Sequence, residues 1–182
     1  NKYHIKNIIH ETTRNYWKST ATKIETSTSE IEAPYNYKPG GTMMYSTGDV
    51  TSRVKETGSD PMGRWTYMKL AGKDNTTISI ITAYQIVDNK IARAGAKTAY
   101  AQQWAMQRMN EQQPNPRKRL RNDLLKLLLK WKKQGDQIIL MGDFNETLGT
   151  DPSGLARITS ALNLVDVMAM RHGIHGEVPT YS

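Results

Sequence analysis

Alternating apolar and polar positions mark two neighbouring segments of the chain. In "RWTYMKL", at roughly 64–70, Trp65 and Tyr67 lie two residues apart, and "TTISIITAYQI" follows with a strand at roughly 76–84 that is rich in β-branched residues. A period of two and β-branched side chains are typical of strands. The linking "KDN" consists of turn-forming residues. The pattern therefore predicts an antiparallel hairpin.

A helical period replaces this alternation in the middle of the chain. Residues 98–112 are rich in helix formers, and a "PNP" break separates them from a clearer helix at 116–134. Asn115 can cap that helix, Pro116 fits its first turn, and Gly135 fits its end. The expected core-facing stripe consists of Leu120, Leu124, Leu127, Leu128 and Trp131.

An apolar run then leads into a polar tip. "QIILMG" predicts a buried strand, and Asp143, Phe144 and Asn145 follow it directly. Upstream, apolar spacing near the start favours a helix, and Ser/Thr-rich and "TMMYS" segments favour short strands. Downstream, a short helix is expected near 153–163. Strands joined partly by hairpins and partly by helices indicate an α+β or mixed α/β layered domain.

The acid and amide of the tip suit phosphoryl chemistry. If the strand runs to its end at Asn145, Asp143 and Asn145 point to one side and Phe144 points into the core as an anchor. A carboxylate can bind Mg²⁺ and can orient or deprotonate a water, and an asparagine offers both a carbonyl and an NH₂ donor. A plain turn is the alternative, because Gly, Asp and Asn are turn residues. The apolar strand before them favours function.

The composition of the chain limits the classes of binding partner and the chemistry that can be expected. The 182 residues carry a formal net charge of +8, which favours polyanions: nucleic acid first, anionic membrane second, with an ordinary basic surface as the alternative. There is no cysteine, which excludes disulfides and thiolate chemistry. No apolar run reaches the length of a membrane span. Composition leaves localisation open.

"IILMGDFNE" closely resembles the strand and signature of the endonuclease/exonuclease/phosphatase superfamily, whose fold is DNase I-like. "ISIITAYQI" resembles that family's strand ending in a phosphate-binding tyrosine, here Tyr84, and "YKPGGTMMYS" resembles its glycine-containing strand. The amino-acid sequences of these segments are most similar to endonuclease domains that lie beside reverse transcriptases in non-LTR retroelement polyproteins. The resemblance covers roughly residues 34–182.

The resemblance implies a four-layer α/β/β/α sandwich of α+β class and a metal-dependent phosphodiesterase that uses Mg²⁺ or Mn²⁺. It implies that Asp143 activates the attacking water, that Asn145 holds water, phosphate or metal, and that the Tyr84 hydroxyl binds the phosphate. Asp143 and Asn145 are the expected metal ligands. DNA, or alternatively RNA, is the expected substrate, with a nuclear or other intracellular location if the chain is part of a retroelement.

The chain also departs from the family pattern. The family places an asparagine strand and a metal-binding glutamate near its start, and Asp-Tyr and Ser-Asp-His segments at its end, and these are absent between Asn1 and Ser182. We therefore expect residues 1–182 to form one partial domain, incomplete at both ends, that belongs to a longer polyprotein and is inactive alone. The alternatives are a non-catalytic basic nucleic-acid-binding module and a phosphodiesterase or phosphatase acting on lipids or inositol phosphates.

Three further features suggest weaker hypotheses. Arg117, Lys118 and Arg119 form a basic run at a helix start, where the dipole disfavours cations, so they are candidate nucleic-acid contacts, although a solvated helix face is favoured slightly. His172 and His175 have metal-ligand chemistry, but their glycine-rich loop argues against a zinc site. Asp166 is expected to cap a helix, and the four tryptophans are expected to lie in the core.

Overall fold

A computed structural model describes residues 2–17, 21–27, 41–87 and 96–173. The fold is mixed α+β, and the chain divides into two compact units, Asn1–Asn145 and Glu146–Ser182. In chain order the elements are α1 (Lys2–Trp17), β1 (Thr22–Ser27), β2 (Thr42–Thr47), a 3₁₀ turn (Gly48–Arg53), β3 (Val54–Ser59), β4 (Trp65–Ala71), β5 (Thr77–Tyr84), α2 (Ala96–Arg108), α3 (Pro116–Lys133), β6 (Gln137–Asp143), α4 (Leu155–Leu162) and α5 (Val167–His172).

The described strands of the first unit form two sheets. Strands β1 and β2 pair antiparallel, and a larger sheet has the order β3-β4-β5-β6. Neighbours in the larger sheet are antiparallel from β3 to β5, whereas β5 and β6 are parallel. The β4–β5 hairpin is confirmed, and Asp74 and Asn75 of "KDN" adopt left-handed backbone angles in its turn. Strand β3 was not predicted, because "VKETGS" has no apolar alternation.

The two faces of the larger sheet are covered by different elements. Tyr67 packs its ring on Trp131 of α3, with centroids 4.9 Å apart, so α3 covers that face. Thr57 lies on the opposite face, where its hydroxyl donates to Glu25 of β1 at 2.9 Å. On the far side of β1, Thr22 is hydrogen-bonded to His10 of α1. The described elements therefore stack as α1, small sheet, large sheet and α3.

Helix α3 forms where its local signals predict. The Asn115 side chain accepts a hydrogen bond from the Lys118 N–H at 3.0 Å, Pro116 is the first helical residue, and Gly135 ends the turn with φ +83°. The stripe is nearly as expected, but Leu125 is buried where Leu127 was expected, and Leu127 is only half-buried. The buried side chains are Leu120, Leu124, Leu125, Leu128 and Trp131.

Strand β6 was predicted to be buried, and this prediction is wrong. Ile139 and Met141 are each 46% exposed, while Ile138 and Leu140 on the other face are half-buried. The reason is that β6 lies at the edge of the described sheet, where β5 is its only described neighbour and the small sheet leaves one face uncovered. Phe144 is likewise half-buried, which weakens its expected role as a core anchor.

Other predictions have mixed outcomes. Trp65 and Trp131 are in the core, Trp104 is half-buried, and Trp17 is exposed, so the expectation for Trp17 was wrong. Within the described residues, no helix combines the length and apolar character that a membrane crossing requires.

The described part of the second unit, residues 146–173, contains two short helices. Its Glu146 carboxylate accepts a hydrogen bond from the Leu155 N–H at 2.8 Å at the start of α4. Asp166 caps α5 as expected, since it accepts from the N–H groups of Met168 and Ala169. His172 is exposed at the end of α5, and His175 lies outside the described residues.

Candidate functional site

Two predicted site residues meet at the carboxyl ends of β5 and β6. Tyr84 and Asp143 are register partners in the parallel pair, so their side chains share one face of the sheet. Neighbouring strands lie about 4.8 Å apart, which places the two residues side by side. Tyr84 is half-buried, and Asp143 is exposed. A phenol and a carboxylate therefore lie together at one end of the sheet. We call this end, with Tyr84, Asp143 and Asn145, the tip.

Asn145 joins this tip by a turn rather than by strand alternation. Strand β6 ends at Asp143, and Asn145 adopts a left-handed backbone with φ +45°. The expectation that Asp143 and Asn145 point to one side of a continuous strand is therefore wrong. Instead, Asp143 Oδ1 accepts the Asn145 N–H at 3.0 Å, and Asn145 Nδ2 donates to the Gln85 carbonyl at 2.7 Å. The "GDFN" segment is thus a turn that also fixes its polar side chains.

Buried Gln85 ties the two strand ends together. Its side chain is 1% exposed and donates from Nε2 to the Phe144 carbonyl at 2.6 Å. Its main chain donates to the Asp143 carbonyl at 2.8 Å and accepts from the Asn145 amide. Because a buried amide is costly to leave unsatisfied, these bonds favour one arrangement of the tip.

Helix α3 supports the tip from behind with two arginines. Arg121 Nε donates to Gln85 Oε1 at 3.1 Å, and Arg117 donates to the carbonyls of Ile86 at 2.6 Å and Asn145 at 3.3 Å. Gln85 and Arg121 were not predicted as site residues. The available signal was a polar residue, Gln85, directly after a strand-ending tyrosine and before two apolar residues.

The three predicted nucleic-acid contacts occupy different environments. Arg117 is half-buried and bonded to the carbonyls of the tip. Arg119 is exposed and forms ion pairs with Glu111 and with Asp123, the latter at 2.9 Å. Lys118 is exposed to solvent. The run is therefore not one continuous cationic surface.

A third arginine holds the end of β5 from the side of β4. The Arg64 carbonyl accepts the Tyr84 N–H at 2.8 Å. The Arg64 side chain is buried and pairs with Asp60 at 2.8 Å and with Asp123 of α3 at 2.9 Å. Burial alone would lower the pKa of Arg64, but the hydrogen bonds and charges of these two carboxylates raise it. Arg64 therefore stays charged and links β4, β5 and α3.

Gly142 permits the close approach of the two strand ends. Its φ is +139°, and a Cβ at this position would lie 1.8 Å from the Ala83 carbonyl oxygen and 2.7 Å from the Ala83 nitrogen. Backbone atoms cannot move aside cheaply, so only glycine fits without shifting β6 away from β5. The glycine before Asp143 is thus a condition of the site geometry.

The donor set at the tip is small. Among the described residues there is no group of three or more His, Cys, Asp or Glu side chains that could hold a metal ion. Asp143 contributes one exposed carboxylate, and Asn145 can contribute Oδ1, because its Nδ2 faces the Gln85 carbonyl. Such a set would hold Mg²⁺ only together with further oxygen ligands, since Mg²⁺ commonly uses one or two carboxylates and keeps several waters.

No protein-family model matches the chain, and no curated protein matches it. Among solved structures, it is similar to a β-hairpin deletion mutant of beta toxin from Staphylococcus aureus, with 16% identity and a TM-score of 0.31, over 63% of this chain and 38% of that one. A second beta toxin structure from the same organism gives 14% identity and a TM-score of 0.37, over 75% and 44%. The chain thus spans less than half of either toxin chain.

Proposed function

We propose that the chain is part of a metal-dependent phosphodiesterase with a DNase I-like four-layer sandwich. The observation that supports this most strongly is the pairing of Tyr84 with Asp143 at adjacent strand ends, with Asn145 fixed beside them. The stacking of α1, two sheets and α3 agrees with that class of fold. Within the class, we further propose a DNA-nicking endonuclease domain of a non-LTR retroelement polyprotein, with RNA as an alternative substrate.

The residues of the tip divide the work of phosphodiester hydrolysis. Asp143 orients the attacking water and accepts its proton as the water oxygen bonds to phosphorus. The ester P–O bond opposite breaks, and the leaving oxygen takes a proton from solvent. Tyr84 donates its hydroxyl hydrogen to a phosphate oxygen, where negative charge increases in the transition state. Asn145 offers Oδ1 to the water or metal, because its Nδ2 is bonded to Gln85.

Asp143 and Asn145 Oδ1 are the groups that would hold Mg²⁺ or Mn²⁺, and the ion would neutralise charge on the phosphate. Since the tip supplies one carboxylate from the described residues, we expect residues 1–182 to bind phosphodiesters without efficient cleavage. The same observation favours the second candidate, a non-catalytic basic module that binds nucleic acid. A phosphodiesterase acting on lipids or inositol phosphates uses the same tip chemistry and stays a third candidate.

A titration with a minimal phosphodiester tests the proposal. The ¹⁵N-labelled chain is titrated with the dinucleotide thymidylyl-thymidine and Mg²⁺ while amide shifts are recorded. We expect the largest shifts at Tyr84, Asp143 and Asn145, and weaker binding in Tyr84→Phe. Shifts confined to other regions would contradict a phosphodiester site at the tip.

A plasmid assay separates the two leading candidates. Supercoiled plasmid incubated with Mg²⁺ and the 182-residue chain should stay supercoiled. Nicking that disappears in Asp143→Asn would support the phosphodiesterase and overturn the expectation of inactivity. Nicking that persists in Asp143→Asn would point to a contaminating nuclease or to another site.

A further inference from the structure

Helix α3 concentrates the positive charge of the chain. Eight of its side chains are basic and one, Asp123, is acidic, which gives the helix a formal charge of +7. The whole chain carries +8. Outside α3, basic and acidic residues therefore nearly cancel, so the long-range field of the protein originates largely from this one helix.

Four of the five lysines of α3 form a solvent-facing stripe. Lys118, Lys126, Lys130 and Lys133 are all exposed, and at 100° per residue they fall within an arc of about 120°. The buried residues Leu124 and Leu128 lie on the other side of the helix. From its first to its last lysine, the stripe is about 22 Å long at 1.5 Å per residue.

Three described carboxylates near α3 pair with cations outside the stripe. Asp123 pairs with Arg64 and Arg119, and Glu111 also pairs with Arg119. Asp136, just beyond the helix, pairs with Lys69. These ion pairs neutralise cations outside the stripe, so the charge of the four lysines faces solvent.

We infer that this lysine stripe is a docking surface for the phosphate backbone of duplex DNA. A length of about 22 Å corresponds to roughly six phosphates along one strand, at 3.4 Å of helix axis each. Lysines act as point charges towards phosphates and need no fixed hydrogen-bond geometry. The surface reads charge and not sequence, so it provides non-specific affinity along the duplex.

An anionic membrane is a poorer match for the same stripe. Helices that lie on membranes insert an apolar face between lipids, next to their basic residues. In α3 the apolar side is already occupied, since Leu124, Leu128 and Trp131 are buried and Trp131 packs on Tyr67 of β4. Within the arc of the stripe, Leu129 is half-buried, and a single leucine is too little apolar surface to insert between lipids. Duplex DNA is therefore the partner that this surface fits.

The stripe also has a defined relation to the tip. Arg117 and Arg121 of the first turns of α3 contact the tip, so the stripe begins near Tyr84 and Asp143 and runs away from them. DNA held along the stripe would thus extend beyond the tip. The inference does not depend on phosphodiester hydrolysis, because a non-catalytic module would use the same surface.

Charge-matched variants provide the test. A fluorescein-labelled 24-base-pair duplex is titrated with the wild-type chain and with two quadruple variants. The stripe variant is Lys118→Gln/Lys126→Gln/Lys130→Gln/Lys133→Gln. The control variant is Lys23→Gln/Arg53→Gln/Lys55→Gln/Lys73→Gln. Both variants lose four charges, and the control residues are exposed outside α3.

We expect the stripe variant to bind at least tenfold more weakly at low salt, and its plot of log K against log salt to be shallower by about 3.6. The control variant should stay within threefold of wild type. Equal losses in both quadruple variants, or wild-type affinity in the stripe variant, would overturn the inference. The inference would also be overturned if the stripe variant kept its DNA binding but lost binding to vesicles that contain anionic phosphatidylserine.

Lysine acetylation of the wild-type chain provides an independent measurement if the quadruple variant misfolds. Bound duplex should protect Lys118, Lys126, Lys130 and Lys133 from an acetylating reagent more than it protects Lys23, Lys55 and Lys73. Uniform protection, or none, would contradict a surface on α3. Dinucleotide binding at the tip is measured separately, so a failure of the stripe can be distinguished from a failure of the proposed tip chemistry.

Discussion

Two Gly-Asp pairs stand at opposite ends of β6 and have opposite environments. At the start, Asp136 has a side chain that is 6% exposed and accepts from Lys69 Nζ and Ser79 Oγ, both at 2.7 Å. At the end, Asp143 is exposed to solvent beside Tyr84. The same dipeptide therefore serves the interior at one end and faces solvent at the other.

The difference shows that residue type alone does not indicate a functional acid. Asp136 meets its partners inside the fold, and Lys69 is further held above the Trp131 ring at 4.9 Å. Asp143 is supported through its backbone and its turn, which leaves its carboxylate directed to the surface. Of the two carboxylates, that of Asp143 is therefore the one that a ligand from solvent can reach.

The largest loss of stability should come from substitution of Gly142, the glycine that precedes the exposed Asp143. Gly142→Ala places a Cβ 1.8 Å from the Ala83 oxygen, which forces the strand ends apart. We expect a loss of about 4 kcal/mol, combining backbone strain with overpacking. Gly135→Ala is the matched control, since φ is +83° but no atom lies within 4 Å, and should cost about 1–2 kcal/mol. Urea unfolding measures both, and equal losses would contradict the close approach at Gly142.

The next largest effect should distinguish the two acids. Asp136→Asn leaves the Lys69 cation buried without its anion and should cost about 3 kcal/mol. Asp143→Asn removes an exposed carboxylate and should change stability by less than about 0.5 kcal/mol. The comparison is made by urea unfolding at pH 7. Similar losses for the two variants would show that Asp143 is also structural.

A smaller effect concerns acid stability. Burial alone would raise the pKa of Asp136, but the hydrogen bonds from Lys69 and Ser79 lower it below the ordinary 3.8. Because the folded pKa is depressed, the contribution is complete above pH 3.8 and is lost as pH falls towards the folded value. The stability difference between wild type and Asp136→Asn should therefore narrow below pH 3.8. A difference that is constant down to pH 2 would contradict the ion pair.

Local signals allowed much of this structure to be predicted. Helix α3 has its own cap, proline and terminal glycine, and the β4–β5 hairpin has alternating strands around turn residues, so both can be read from neighbouring residues. The tip could also be predicted from neighbouring residues, because "GDFN" directly follows an apolar strand. Tyr84 could be paired with Asp143 only through the family resemblance, because 58 intervening residues separate them in the sequence.

The remaining features depend on contacts distant in sequence. Gln85 bonds to Phe144, and Arg64 to Asp123, each 59 residues apart, so no local pattern identifies them. Exposure of Ile139 and Met141 depends on which strand covers β6, which an apolar run does not specify. The left-handed turn at Asn145 changed how the predicted pair is presented, although both residues stay at the tip.

We propose that the Asp143 end of β6 binds a divalent cation, whereas the Asp136 end does not. Paramagnetic Mn²⁺ tests this directly, because it broadens amide signals of the ¹⁵N-labelled chain close to its binding site. At low Mn²⁺ concentration, the signals of Asp143, Asn145 and Tyr84 should broaden first, and Asp143→Asn should abolish this effect. Broadening that persists in Asp143→Asn, or that centres on Asp136, would contradict the account.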